Sequence, residues 1–135
     1  MLLVSLALLS PPAHAESKAE SCLRTKVWEG YADGWGVRTM TTAELDDGKF
    51  RAYLVTLYEG TEYKIRACGD DRLADVDLLL YDPKGNLITR DATKSREPEF
   101  TFKPPASGTF YVVVYAREVV NTGGKGEVAM AVVYH

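Results

Sequence analysis

Four aspartates lie close together in the sequence, at Asp70, Asp71, Asp75 and Asp77. Carboxylate oxygens suit Ca²⁺, and Asp75 and Asp77 share one face of a strand because strand side chains repeat every two residues. The spacing is not that of an EF-hand. The cluster predicts a calcium site at a loop and strand edge. The alternative is that Asp70 and Asp71 are solvated turn residues and that Asp77 pairs with a neighbouring arginine or lysine.

Histidine is nearly absent from the part of the chain that is expected to fold. His14 lies in a predicted leader and His135 is the last residue, so no imidazole is placed for a Ser-His-Asp or Cys-His site or for zinc. The glycines at 123–126 have no strand-loop-helix setting and predict a hairpin loop, not a phosphate loop. Carboxylates are plentiful but no pair stands out. The sequence therefore predicts a protein that is not an enzyme and has no cofactor other than calcium, with a carboxylate-dependent glycan hydrolase as an alternative.

The two cysteines, Cys22 and Cys68, predict one disulfide bond, because an even count in an exported chain favours pairing. Such a bridge stabilises by about 4 kcal/mol in the chain-entropy model. No C-x-x-C motif is present, and a redox-active or metal-binding pair is the less favoured alternative.

Both tryptophans lie in a short stretch rich in aromatic residues and glycine. Trp28, Tyr31 and Trp35 could form an exposed stacking platform for a sugar or a peptide. The alternative is that they cover a sheet edge or seal a core. The charged connection 91–99 is a second candidate binding segment, since loops often carry function.

The chain is predicted to begin with a leader. Residues 1–9 are mostly apolar, and Ala13-His14-Ala15 has the small-x-small pattern at which a secretory leader is cut, so residues 1–15 are a predicted signal peptide. An apolar N-terminal strand is the alternative. The formal charge of -3, with both signs interleaved, argues against nucleic acid or a polybasic membrane patch as a partner. No later apolar run approaches the roughly 20 residues of a membrane helix, which predicts no transmembrane anchor after leader cleavage.

The elements that must position these residues are mostly strands. A helix is predicted from Ser17 to Glu29, with Ser17-x-x-Glu20 as a capping box and Gly30 or Gly34 as its end. It belongs to an N-terminal segment, 16–38, that flanks a β-sandwich over 39–135. Turn residues at Asp46-Asp47-Gly48 indicate a hairpin, and Asp82 to Gly85 indicate a type I turn. Strands are predicted at 39–45, 50–58, 62–68, 76–81, 86–90, 97–103, 109–116 and 127–134.

This pattern predicts an all-β fold, an antiparallel jelly-roll-like β-sandwich of about eight strands with one N-terminal flanking helix. The strand over 109–116 alternates Phe110, Val112 and Val114 against Tyr111, Val113 and Tyr115. Because both of its faces are apolar, it is predicted to be central in its sheet.

Two motifs carry a family resemblance. The run D-x-D-L-x-L-Y-D-x-x-G-N at 75–86 and the run P-x-S-G-T-F-Y-V-x-V at 105–114 resemble the bacterial pre-peptidase C-terminal domain. The likeness covers roughly 50–134. It implies a small jelly-roll sandwich of a kind usually appended to secreted proteases, some members of which bind collagen or calcium. The helix carrying Cys22 and the segment 28–35 lie outside the pattern.

Together these observations predict a secreted or periplasmic, non-enzymatic β-sandwich that binds an extracellular protein, peptide or glycan. A calcium-stabilised structural module of the cell envelope is the alternative from a different class.

Overall fold

The structure, a computed structural model, describes residues 16–121 and 123–135 together with Leu3. The predicted leader, apart from Leu3, lies outside the described residues. Within the described part the chain forms one helix and eight strands. They are α1 (Lys18–Ala32), β1 (Gly36–Asp46), β2 (Phe50–Leu57), β3 (Tyr63–Gly69), β4 (Leu73–Tyr81), β5 (Leu87–Asp91), β6 (Glu99–Phe102), β7 (Gly108–Val119) and β8 (Lys125–Tyr134). No helix in this part of the chain is long and apolar enough to cross a membrane.

The strands form two antiparallel sheets of four. The first sheet has the order β1-β8-β3-β6 and the second has the order β2-β7-β4-β5. Consecutive strands therefore alternate between the sheets over most of the chain, as in a jelly roll. The predicted fold class is confirmed, and β7 is central in its sheet, as its two apolar faces predicted.

Two predicted hairpins are wrong. The turn at Asp46 to Gly48 does close with a hydrogen bond from the Lys49 N–H to the Asp46 carbonyl, and Gly48 has φ +73°. However, β1 pairs with β8 and β2 pairs with β7, so this turn carries the chain from one sheet to the other. The loop before β8 also connects the two sheets. Local turn residues predict a reversal of the chain, but they do not predict which strands pair.

The core lies between the inner faces of the two sheets. Strand side chains alternate between the faces, and in β7 Phe110, Val112, Val114 and Ala116 are buried in alternation, with Val119 also buried at its end. They pack against inner-face residues of other strands such as Ile65 in the same cluster. This apolar interior provides most of the favourable free energy of folding.

Helix α1 begins as its sequence predicted and continues three residues past the predicted Glu29, to Ala32, two residues before Gly34. The Ser17 hydroxyl accepts a hydrogen bond from the Glu20 N–H at 3.1 Å, and Gly34, at φ +90°, follows the C-cap Asp33. The helix buries Ala19 and Leu23 against Ala129, Ala131 and Val133 on the outer face of β8, where small residues allow close approach.

This packing also covers part of β3. Glu62, Lys64 and Arg66 alternate with inward-facing residues, a pattern typical of a strand with one solvent-exposed face. However, α1 covers part of that face, and the guanidinium of Arg66 donates to the Lys26 carbonyl of the helix at 3.1 Å. Cys68, at the end of the strand, is fully buried. The predicted disulfide between Cys22 and Cys68 is confirmed, with their Cα atoms 6.1 Å apart, and it joins α1 to β3.

Candidate functional site

The outer face of the second sheet carries an open cleft. Helix α1 packs against β1, β3 and β8, which all belong to the first sheet. The cleft on the second sheet has a volume of about 470 Å³, within the range of small-ligand sites. Its walls are mainly apolar and come from three strands: Phe50 from β2, Val113 and Tyr115 from β7, and Leu79 and Tyr81 from β4.

Three charged residues complete the cleft. Asp77 lies on β4, Arg90 on β5 and Arg117 on β7. The guanidinium carbon of Arg117 lies 5.9 Å from the centre of the Tyr115 ring, a cation–π distance. Aromatic faces beside a carboxylate and two guanidinium groups can offer stacking surface, hydrogen-bond acceptors and hydrogen-bond donors to one ligand.

Asp77 is the chemically unusual member of this group. Its exposed fraction is 9%, and its Oδ1 atom is buried without a hydrogen-bond partner among the described residues. Burial raises the pKa of this carboxyl group, and the nearby charge of Asp75 raises it further, while Arg117 acts in the opposite direction. A buried acceptor without a donor costs free energy, so an arrangement of this kind needs an explanation other than stability.

Replacing Asp77 by asparagine is expected to stabilise the fold by about 1 kcal/mol at neutral pH, because it removes the negative charge that burial disfavours. A raised pKa means that the folded chain holds this proton more tightly than the unfolded chain does. The free-energy cost of burying ionised Asp77 is therefore absent below the ordinary pKa of 3.8. It reaches its full size once the pH exceeds the raised pKa of the folded state. Urea unfolding of wild type and Asp77→Asn from pH 3 to pH 8 measures the difference.

Asp71 offers a control of opposite sign. A hydrogen bond from the Lys18 ammonium group lowers the pKa of Asp71, so its ionised form stabilises the fold above the ordinary pKa. Asp71→Asn is therefore expected to lose a little stability at neutral pH. A stability difference between Asp77→Asn and wild type that is the same at every pH would contradict a raised pKa of Asp77 in the folded protein.

The four predicted calcium ligands take separate roles. Asp70 is buried and accepts hydrogen bonds from the Arg72 guanidinium at 2.6 and 2.9 Å. Asp71 is exposed and pairs with Lys18 of the helix, and Asp75 accepts a hydrogen bond from the Ser95 N–H at 3.4 Å. The alternative was that Asp70 is a solvated turn residue. Asp70 does lie in a turn, but it is buried and not solvated.

The described residues hold one group of three potential ligand atoms that lie within 4.8 Å of one another, and it consists of Cys22, Cys68 and Glu97. The two sulfur atoms of that group are bonded to each other, so it is not a metal centre. Calcium binding at the aspartates stays a prediction.

The predicted aromatic platform is divided into two environments. Trp28 and Tyr31 are exposed on α1, and their rings stack with centroids 5.9 Å apart and planes inclined by 8°. Trp35 is half-buried and packs against the apolar cluster under the helix. The Lys64 ammonium lies 4.6 Å from the Trp35 ring centre, and His135 packs against the same tryptophan. Trp35 therefore covers the sheet, while Trp28 and Tyr31 are free to meet a ligand.

The charged connection 91–99 is held by its own hydrogen bonds. The Asp91 carboxylate accepts from the Thr93 N–H, the Thr93 hydroxyl and the Glu99 N–H at 2.6 to 3.1 Å. The Glu97 carboxylate pairs with Lys26 of the helix at 3.1 Å. Most charged side chains of the connection 91–99 therefore contact other residues of the same protein.

Fold and cleft together define a class of protein: a jelly-roll module with one sheet covered by a helix and the other sheet open. Residues 51–116 match the model of the family described as bacterial pre-peptidase C-terminal domain. The β-sandwich of this chain belongs to that family, which confirms the resemblance predicted from its motifs.

Several known proteins resemble this chain in sequence or in fold. Pyrolysin from Pyrococcus furiosus is 34% identical over 94 residues, which is 67% of this chain and 7% of pyrolysin. The chain therefore spans a small fraction of that relative. The pre-peptidase C-terminal domain of collagenase from Bacillus anthracis has a TM-score of 0.55 at 18% identity, covering 72% of this chain and 90% of that one. PliG from Aeromonas hydrophila, a periplasmic inhibitor of g-type lysozyme, has a TM-score of 0.56 at 16% identity, covering 72% and 85%.

Proposed function

We propose that this protein is a non-enzymatic module that works outside the cytoplasm and binds an extracellular protein, peptide or glycan in the cleft on its second sheet. One observation carries the proposal: the Asp77 carboxylate, nine-tenths buried and with an unpaired oxygen, lies among aromatic walls on an otherwise uncovered sheet. A ligand that donates a hydrogen bond there would relieve a cost that the free protein carries.

The composition of the cleft supports binding over catalysis. A glycoside hydrolase of the usual kind needs two carboxyl groups across its cleft, and among the described lining residues Asp77 is the single carboxylate. Aromatic rings beside a few fixed polar groups are typical of binding sites. Arg90 and Arg117 supply donors on either side of the acid, so a ligand with both donors and acceptors fits best.

The disulfide supports a location outside the cytoplasm, because such bonds form and persist in oxidising compartments. The predicted leader and the membership of the pre-peptidase C-terminal family point the same way. We therefore infer a secreted or periplasmic protein.

Binding to immobilised peptidoglycan, extracellular polysaccharides and fibrillar extracellular proteins tests the proposal. We expect one of these to retain the wild-type protein without release of product, and Tyr115→Ala to bind about tenfold more weakly through loss of one aromatic contact. Leu87→Ala is the matched control, because Leu87 is exposed on β5 and is not a lining residue of the cleft.

A ligand that binds the stacked pair Trp28 and Tyr31 on α1 would give a different result. If Trp28→Ala abolishes binding while Tyr115→Ala and Asp77→Asn leave it intact, the ligand binds on the helix and the cleft is not the site. Product release from any of the polymers would contradict a non-enzymatic role.

A further inference from the structure

The four edge strands of the sandwich differ in how well they are protected against pairing with another chain. An exposed edge presents unpaired N–H and C=O groups, and proteins usually protect it with short length, charges, proline or a β-bulge. Three edges have such protection. β1 has a register shift at Val37/Thr39 and several charges, β6 has four residues and follows Pro98, and β5 has five residues and ends in Arg90 and Asp91.

The remaining edge strand, β2, has the least protection. It runs for eight residues in unbroken register with β7, contains no proline and has Arg51 as its single charge. Phe50 and Leu54 are 62% and 67% exposed on it. A groove of about 440 Å³ separates its residues 53–56 from residues 38–41 of β1, so the neighbouring edge does not cover it.

The backbone groups at this edge can be assigned. The Ala116 N–H donates to the Lys49 carbonyl, which makes odd-numbered residues the ones that bond to β7. Hydrogen-bonding direction alternates along an antiparallel strand. Phe50, Ala52, Leu54 and Thr56 therefore direct their N–H and C=O groups away from the sheet.

We propose that β2 is a self-association edge, on which a second copy of this chain pairs its own β2 antiparallel around a two-fold axis at Ala52. Residues that face the same side then meet: Phe50 lies opposite Leu54 of the second copy, which covers two exposed apolar side chains. Arg51 lies opposite Tyr53 of the second copy, so no like charges meet and a cation–π contact can form.

Self-complementarity favours a second copy over an unrelated strand. In an isologous interface the same surface of each copy must be complementary to itself. The β2 edge meets this condition, because its outward backbone groups, its exposed apolar side chains and its single charge each face a partner on the second copy. The two second sheets would join into one continuous eight-stranded sheet. Because Phe50 also lines the cleft, the two clefts would lie on the same side of that sheet.

Sedimentation equilibrium of the disulfide-intact protein tests this proposal. We expect a concentration-dependent dimer in wild type, and at least a tenfold weaker association for Leu54→Lys, which introduces a charge opposite Phe50 of the second copy. Leu87→Lys is the control, because Leu87 is exposed on the protected edge β5, and it is expected to dimerise like wild type. Thermal unfolding of each variant verifies that it is folded.

A crosslink tests the register independently. The native cysteines are both in the disulfide, so Ala52→Cys introduces the one free thiol. A short bis-maleimide is expected to join two Ala52→Cys chains and not two Leu87→Cys chains. A wild-type protein that stays monomeric up to about 1 mM, a scale of very weak affinity, overturns the proposal. So does a Leu54→Lys variant that dimerises as strongly as wild type, or equal crosslinking at both positions.

Discussion

Replacing both Cys22 and Cys68 by alanine is expected to lower the free energy of unfolding by about 4 kcal/mol. The bridge joins residues 46 positions apart, and without it the unfolded chain gains the conformational freedom of that whole loop. The loss is large relative to the 5 to 15 kcal/mol that roughly spans the stability of a domain. Helix α1 would then depend on its packing against β8 and β3.

Urea unfolding followed by circular dichroism measures this effect in the double variant and in wild type with and without reductant. The variant and the reduced wild type should share a midpoint well below that of the oxidised protein. Lys18→Ala is the control, since it removes an exposed contact between the same helix and Asp71, and it should unfold close to wild type. A double variant as stable as wild type would show that the bridge does not restrict the unfolded chain.

The second large effect is expected at Asp70. Its carboxylate is 6% exposed and accepts hydrogen bonds from the Arg72 side chain, the Arg72 N–H and the Glu127 N–H. These contacts join the end of β3 to the start of β8. Asp70→Ala leaves two backbone donors without their acceptor and removes the nearer of the two carboxylates that contact the Arg72 guanidinium, so we expect a loss of about 3 kcal/mol.

Asp71→Ala is the matched control, because it removes the adjacent carboxylate from an exposed position. Thermal and urea unfolding of the two variants should separate them clearly, with Asp71→Ala near wild type. Equal stability of the two variants would contradict a structural role for Asp70. The same melts with calcium and with chelator address the calcium prediction, since an ion that binds the folded state raises the midpoint.

Most of the fold could be predicted because it depends on local signals. Period-two alternation, the turn at Asp82 to Gly85 and the cap at Ser17 each act within a few residues, and the structure contains the eight strands and the helix that they predict. Strand pairing depends on distant residues instead. The hairpin predicted at Asp46 to Gly48 was wrong because β1 finds its partner β8 about 80 residues away, and no local pattern encodes that choice.

The cleft was harder to predict for the same reason. Phe50, Arg90 and Arg117 come from β2, β5 and β7, which are separate in sequence and which the strand order β2-β7-β4-β5 brings into one sheet. Asp77 was selected from the sequence as one of a group of aspartates that are close along the chain, whereas in the cleft it lies beside Arg90 and Arg117. One signal of the cleft was present in the sequence. The second apolar face of β7, with Val113 and Tyr115, was attributed only to a central position in the sheet. It also forms part of the wall of the open cleft.

The positions of Ser17 and His135 have a practical consequence. The Ser17 hydroxyl donates to the Glu127 carboxylate of β8, and the His135 ring packs against Trp35 beside the helix. Both residues therefore lie on the first sheet, opposite the cleft. A fluorescent label, a sensor chip or a fused domain attached on the side of Ser17 and His135 leaves the cleft facing the solution, so the module can be displayed in a fixed orientation with its binding face outward.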